Sequence, residues 1–103
     1  MGPMDNFLSA VNIGLGVGGI GEGKEAGILR DEDYVLAIQE AYEIGYRLFD
    51  TAEAYSDGRS ESLVGSALDN TKTDAIVATK VSPNNLKPGP MQSSAESSLR
   101  RLN

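Results

Sequence analysis

The chain contains no cysteine, so neither a disulfide framework nor a thiolate site is possible. Lysine and arginine are also scarce: 9 of them stand against 15 aspartates and glutamates, giving a net charge of −6. That balance argues against nucleic acid or an anionic membrane as a partner, because both require an excess of cations. No apolar run is long enough for a membrane-spanning helix, and the amino terminus lacks the apolar core of a signal peptide. We therefore expect a cytoplasmic protein.

At 103 residues, with 40% hydrophobic and 23% charged residues, the chain has the composition and length of one small globular domain. We interpret residues 1–3 as a remnant of cloning, with Met4 as the natural start. Residues 4–103 are interpreted as a single domain, since no linker-like stretch divides them. No metal site is expected.

Apolar and amphipathic stretches alternate along the chain. Alternating or continuous apolar residues predict strands near residues 11–17, 46–50 and 75–81. Amphipathic periodicity predicts helices near residues 31–44, 60–69 and 91–102. A strand–helix–strand unit places its strands parallel to each other, so we predict an α/β fold with three parallel βα units.

Each predicted helix has an apolar face. In the first helix this face comprises Tyr34, Val35, Ile38, Ala41 and Tyr42, with Gly45 as the residue that ends the helix. In the second helix, with Ser60 as its N-cap, it comprises Leu63, Val64, Ala67 and Leu68. In the third helix it comprises Met91, Ala95, Leu99 and Leu102. Three prolines and a glycine predict that residues 82–90 form no regular structure.

The glycine-rich stretch after the first strand contains two nucleotide-binding patterns. Residues 14–19 fit G-x-G-x-x-G, and residues 18–24 fit the first seven positions of a P-loop. The P-loop fails at Glu25, where Ser or Thr should bind Mg²⁺. A Rossmann-type fold stays open as a minor alternative, although no helix follows directly and Asp50 lies farther on than the roughly 20 residues that motif expects. The pattern favours a flexible loop that needs glycine for its backbone conformation.

Three polar residues are predicted to converge where the second and third strands end. Asp50 and Lys80 follow their strands in the same alternation phase, and Tyr55 lies in the loop after Asp50. We expect the Lys80 ammonium within roughly 4 Å of an Asp50 oxygen. A carboxylate, an ammonium and a phenol that converge form a candidate reaction centre, because a nearby ammonium favours a phenolate and a carboxylate can orient the ammonium.

Simpler structural roles stay open for each of these residues. Asp50 could cap a turn, Tyr55 could pack its ring on the loop, and Lys80 could be a solvated surface residue. Glu53 and Arg59 are expected to be solvated loop charges rather than members of a site.

Four segments resemble the amino-terminal part of the aldo-keto reductase family. They are Gly45–Tyr55 (GYRLFDTAEAY), Asp57–Leu68 (DGRSESLVGSAL), Ala78–Val81 (ATKV) and Ser98–Leu102 (SLRRL). The resemblance implies a partial (β/α)₈ barrel, with about three of eight βα units present, since such a barrel needs about 250 residues. It also implies NADPH-dependent reduction of an aldehyde or ketone.

The resemblance further implies residue roles. Asp50, Tyr55 and Lys80 match three members of a catalytic tetrad whose fourth member is a histidine, and this chain contains no histidine. Gly18, Gly19 and Asp50 are the residues expected to bind the cofactor. The chain by itself is expected to be inactive. The alternative is a non-catalytic module that self-associates through open sheet edges.

Overall fold

The computed structural model describes residues 13–18, 30–69, 72 and 74–103. Three short parallel strands form one sheet in the order β1-β2-β3. The strands are β1 (Gly14–Gly16), β2 (Leu48–Asp50) and β3 (Ile76–Ala78). The helices are α1 (Asp31–Glu43), α2 (Arg59–Ala67) and α3 (Pro88–Leu102). Short 3-10 helices span Tyr55–Gly58 and Pro83–Asn85. The predicted three parallel βα units are confirmed, and the interpretation of residues 1–3 lies outside the described residues.

Helix α1 begins and ends where the sequence predicts. Its first turn carries three carboxylates, which complement the helix dipole, and Asp33 accepts a hydrogen bond from the Arg30 backbone N–H at 2.9 Å. Ile38 and Ala41 are buried. Gly45 has φ of +121°, a conformation that side chains rarely adopt, so it ends the helix as predicted.

Helix α2 supplies much of the core, but it begins differently from the prediction. The residue before its first turn is Gly58, with φ of +88°, and Ser60 lies inside the helix. The assignment of Ser60 as N-cap is therefore wrong, and its hydroxyl is fully buried instead. The predicted apolar face is confirmed, and the buried cluster contains Val17, Ile38, Ala41, Phe49, Leu63, Val64 and Ala67.

Helix α3 packs against α2 through a face that apolar periodicity did not predict. Ser98 is buried, whereas Leu99 is 69% exposed and Ala95 is also exposed. The reason lies at Gly65, where a Cβ would be 2.9 Å from Leu102 Cα. This close approach turns the side of α3 that bears small and polar residues toward α2. Of the predicted face, only Leu102 packs against the core.

The prediction of irregular structure over residues 82–90 is wrong. Pro83 begins a 3-10 helix, and α3 begins at Pro88 rather than near Met91. Proline is compatible with the first turn of a helix because its missing N–H has no intrahelical partner there. The prolines at 88 and 90 both lie in that first turn, so they start the helix rather than prevent it.

Candidate active site

The carboxyl ends of the three strands form one polar edge of the sheet. Asp50 is the last residue of β2, and its register partner on β3 is Ala78. Lys80 follows Ala78 by two residues, so it projects to the same side of the sheet. The backbone pairing continues past the strands, because Thr51 N–H donates to the Ala78 carbonyl at 2.8 Å and Glu53 N–H donates to that of Lys80 at 3.2 Å.

Lys80 and Asp50 form a direct ion pair. Lys80 Nζ donates to Asp50 Oδ1 at 2.8 Å, which confirms the predicted contact. The hydrogen bond to Asp50 raises the pKa of Lys80 above its usual value, desolvation opposes this, and Tyr55 adds a smaller raising contribution. Both side chains are 49% exposed, so the ammonium stays charged and accessible from solvent.

Tyr55 lies beside this ion pair. Lys80 Nζ is 5.1 Å from the centroid of the Tyr55 ring, within the range of a cation–π contact. Two residues after the end of β1, a Cβ placed on Gly18 would be 3.3 Å from the Tyr55 ring. The ring therefore lies against the bare backbone that follows β1, and all three predicted polar residues come together at one edge.

The backbone that follows Tyr55 adopts an uncommon conformation. Ser56 and Asp57 have φ of +50° and +54°, in the left-handed region that non-glycine residues seldom occupy. Gly58 continues with φ of +88°, and a Cβ there would be 2.9 Å from Arg101 Nε. Such residues persist only where the surrounding structure fixes them, and they occur often at functional sites. The chain thus reverses tightly between Tyr55 and the start of α2.

A comparison with known protein families accounts for this arrangement. The sequence profile of the aldo/keto reductase family matches residues 12–103, which is most of the chain. The chain belongs to the aldo-keto reductase family. This membership excludes the Rossmann-type alternative, because the three βα units are those of a (β/α)₈ barrel.

Several relatives support the assignment of this aldo-keto reductase chain. It is 34% identical to an uncharacterized oxidoreductase of Mycobacterium tuberculosis, with 96% of this chain and 31% of that protein covered. It is 41% identical to methylglyoxal reductase YeaE of Escherichia coli over 67% of this chain and 24% of the relative. The chain spans about a third of the length of the curated relatives that it matches over nearly its whole length.

Solved structures give the same assignment. The thermostable aldo-keto reductase Tm1743, crystallised with the inhibitor epalrestat, matches with a TM-score of 0.78 and 37% identity, over 90% of this chain and 34% of that protein. An aldo-keto reductase from Klebsiella pneumoniae, crystallised with NADPH, matches with a TM-score of 0.75 and 32% identity, over 86% of this chain and 30% of that protein.

The candidate cofactor residues of the aldo-keto reductase chain are only partly described. Gly18 and Asp50 lie at the polar edge next to Tyr55, whereas Gly19 lies outside the described residues. A side chain at position 18 would press on the Tyr55 ring. The backbone at Gly18 therefore lies directly against the Tyr55 ring.

Two loop charges are not the solvated residues that the sequence suggests. Glu53 accepts hydrogen bonds from Ser82 N–H at 2.9 Å and Asn85 Nδ2 at 2.7 Å, and these bonds lower its pKa to about 2. It therefore joins the loop after β2 to the loop after β3. Arg59 forms an ion pair with Asp31, with Nε at 2.8 Å from Oδ1, and so joins α2 to α1.

Four further polar residues next to the site were not predicted. Thr51, Ser60 and Glu61 are fully buried, and Thr79 donates a hydrogen bond to Glu61. Ser60 and Glu61 lie in the first turn of a helix, where polar residues are ordinarily exposed, so no sequence pattern indicated their burial. Thr51 and Thr79 could have been found from their positions in the sequence, since each is adjacent to a predicted site residue.

None of the helices in the described ranges is long and apolar enough to cross a membrane.

Proposed function

We propose that this chain supplies the first three βα units of a barrel that reduces an aldehyde or ketone with NADPH. The observation that carries the proposal is the 2.8 Å ion pair between Lys80 and Asp50 beside the Tyr55 ring. Family membership supports an oxidoreductase, and the Klebsiella relatives crystallised with NADPH or NADP support the cofactor. The cytoplasmic location expected from the sequence stays a prediction.

In this proposal Tyr55 is the proton donor. Its hydroxyl gives a proton to the carbonyl oxygen as negative charge develops there, and a nearby ammonium stabilises the resulting phenolate. Lys80 provides that ammonium, and Asp50 keeps Lys80 charged and fixes its position. When bound, NADPH supplies the hydride, and Gly18, Gly19 and Asp50 would be among the residues that hold it.

We further propose that the chain is inactive by itself. It contains no histidine, so it cannot supply the fourth member of the tetrad that the family resemblance implies. It also spans only about a third of the relatives. Binding groups for a small carbonyl substrate and for most of a dinucleotide would then have to come from outside these residues.

The direct test compares the chain with a completed barrel. We define the completed barrel as residues 12–103 joined in place of the matching third of Tm1743, the 37% identical relative. With methylglyoxal as the carbonyl probe, the completed barrel should consume NADPH, and the 103-residue chain should not. A completed barrel that folds and binds NADPH, yet leaves it unconsumed with a panel of aldehydes and ketones, would contradict the proposal.

A second candidate function is a non-catalytic module that associates with copies of itself. Among the described residues, β3 is hydrogen-bonded to a neighbouring strand on one side only. An open cleft of about 350 Å³ lies beside it, lined mostly by apolar groups that include Val81, Ala95, Leu99 and Leu102. Exposed apolar surface of this kind commonly marks an interaction site. Sedimentation of the isolated chain should then show a homodimer or larger species, and a monomer at micromolar concentration would contradict this candidate.

A further inference from the structure

The carboxyl ends of all three strands are connected by side chains from a single turn of α2. Ser60 and Glu61 are consecutive residues in that turn, and both are fully buried. Consecutive helical residues project about 100° apart, so the two side chains reach different neighbours. Ser60 faces β1 and β2, and Glu61 faces β3 and α3.

The direction of the Ser60 hydrogen bonds can be deduced. Ser60 Oγ donates its only proton to the Val17 carbonyl at 3.1 Å, because a carbonyl can only accept. Thr51 Oγ1, 2.8 Å from Ser60 Oγ, must therefore be the donor in that pair. The result is a directed chain from the end of β2, through α2, to the end of β1.

Glu61 makes the corresponding connection to β3. Thr79 Oγ1 donates to Glu61 Oε2 at 2.7 Å, and Arg101 Nε donates to Glu61 Oε1 at 2.8 Å. Both oxygens of the buried carboxylate thus have partners. Within the described ranges no buried side-chain polar atom lacks a hydrogen bond, so this network is complete. Complete buried networks hold their members in one geometry.

Each strand end fixed in this way is adjacent in sequence to one residue of the candidate active site. Val17 precedes Gly18, Thr51 follows Asp50, and Thr79 precedes Lys80. Neighbouring Cα atoms are about 3.8 Å apart, so a shift at a fixed residue is passed directly to its neighbour.

We propose that Ser60 and Glu61 are positioning residues that align Gly18, Asp50 and Lys80 with one another. The proposal rests on the function proposed above for its catalytic meaning, but the alignment itself can be tested in the 103-residue chain. The Lys80–Asp50 pair is half exposed and could form many geometries in an unconstrained loop. The buried network limits those geometries by holding the residues next to both partners.

The test uses the chemical reactivity of Lys80. Only an uncharged amine is acetylated, and the pair with Asp50 keeps Lys80 charged, so acetic anhydride should label Lys80 more slowly than the exposed Lys87 in the same molecule. Mass spectrometry of the labelled chain gives the ratio of the two rates. Asp50→Asn removes the partner directly and should raise the ratio most.

Thr79→Val and Thr79→Ser form the decisive matched pair. Thr79 lies at the surface, so neither change opens a cavity in the core. Thr79→Val replaces the hydroxyl that donates to Glu61 with a methyl group and changes neither Glu61 nor Arg101. It should raise the labelling ratio about threefold to tenfold, the range for loss of one hydrogen bond, whereas Thr79→Ser should restore the wild-type ratio.

Ser60→Ala removes the hydroxyl that bonds to the ends of β1 and β2, and the same labelling ratio is measured. The control is Ser66→Ala, which changes an exposed serine on the same helix. An unchanged Lys80 to Lys87 ratio in Thr79→Val would overturn the proposal, whatever happens to stability, because the network would then be structural only. The proposal would also fail if Asp50→Asn left the ratio unchanged, since no pair would exist to be positioned. If the labelling behaves as expected but the completed barrel reduces no carbonyl, the proposed function fails and the positioning role stands.

Discussion

Two clusters at opposite ends of the sheet contain the same three kinds of group: a phenol, a carboxylate and a cation. The carboxyl-end cluster comprises Asp50, Tyr55 and Lys80. The amino-end cluster comprises Tyr42, Arg47 and Asp74. The clusters differ in the partner of the phenol. Tyr42 donates a hydrogen bond to Asp74, whereas at the other end the carboxylate pairs with the ammonium of Lys80, which lies over the Tyr55 ring.

This difference is why the proposed function assigns proton donation to the carboxyl-end cluster. The hydrogen bond to Asp74 raises the pKa of Tyr42, so this phenol is a weaker acid than an ordinary tyrosine. Arg47 stacks over the Tyr42 ring at 4.0 Å and binds two backbone carbonyls, which ties the end of α1 to the start of β2. Barrels of this type have their active sites at the carboxyl face of the strands, and the proposed division follows that pattern.

The largest expected effect comes from removing the cation of each cluster in turn. Lys80→Met in the completed barrel should lower carbonyl reduction about 100-fold or more, since it removes the ammonium that the proposed mechanism places beside the proton donor. Arg47→Met should leave turnover near normal and lower the midpoint of thermal unfolding, because the contacts of Arg47 join α1 to the start of β2 and to Asp74. Steady-state kinetics and thermal melts check both. An equal loss of turnover in the two variants would mean that the ends of the sheet do not differ in function.

A smaller effect is expected from acid. The pKa of Glu53 is about 2 in the folded chain, below its ordinary 4.5, because Ser82 and Asn85 hydrogen-bond to the ionised carboxylate. A lowered pKa stabilises the fold above the ordinary value, and this stabilisation is lost as pH falls from about 4.5 to about 2. The urea midpoint of the wild-type chain should therefore fall more steeply over this range than that of Glu53→Gln.

The matched control for this measurement is Glu96→Gln, which removes one exposed carboxylate from α3. Parallel acid profiles for the wild type and Glu53→Gln would show that Glu53 does not join the two loops in solution.

The smallest effect concerns the amino-end phenol. Absorbance titration of the four tyrosines should show one phenol that ionises at unusually high pH, and Tyr42→Phe should remove it from the curve. Asp74→Asn should move that phenol to lower pH, because the carboxylate that raises its pKa is gone. If Asp74→Asn left the titration curve unchanged, Asp74 would not raise the pKa of Tyr42, and the two clusters would not differ in this way.

The sequence predicted the carboxyl-end cluster because its geometry depends on local rules. Two strands of a parallel pair end at the same edge, and alternation fixes the side to which Asp50 and Lys80 point. The amino-end cluster was missed because it depends on how a helix end packs against two strand starts, which periodicity does not encode. No sequence pattern singled out Asp74.

The errors elsewhere also have tertiary causes. The inward face of α3 is set by the close approach of its backbone to Gly65, and this outweighs the apolar stripe that contains Leu99. Ser60 and Glu61 are polar residues in a first helical turn, where exposure is the ordinary expectation. They are buried because three strand ends and α3 meet there, which no local pattern reveals.

The most direct test of the difference between the two ends is a pair of single-atom changes. Tyr55→Phe and Tyr42→Phe each remove one phenolic oxygen, and the rate of NADPH consumption in the completed barrel reports the consequence. Tyr55→Phe should lose most carbonyl reduction, about 100-fold or more, while NADPH binding stays nearly intact, since the hydroxyl acts mainly in the transition state. Tyr42→Phe should reduce the probe at a near-normal rate. Near-normal turnover in Tyr55→Phe would contradict the account, because the proton would then come from another group or from water.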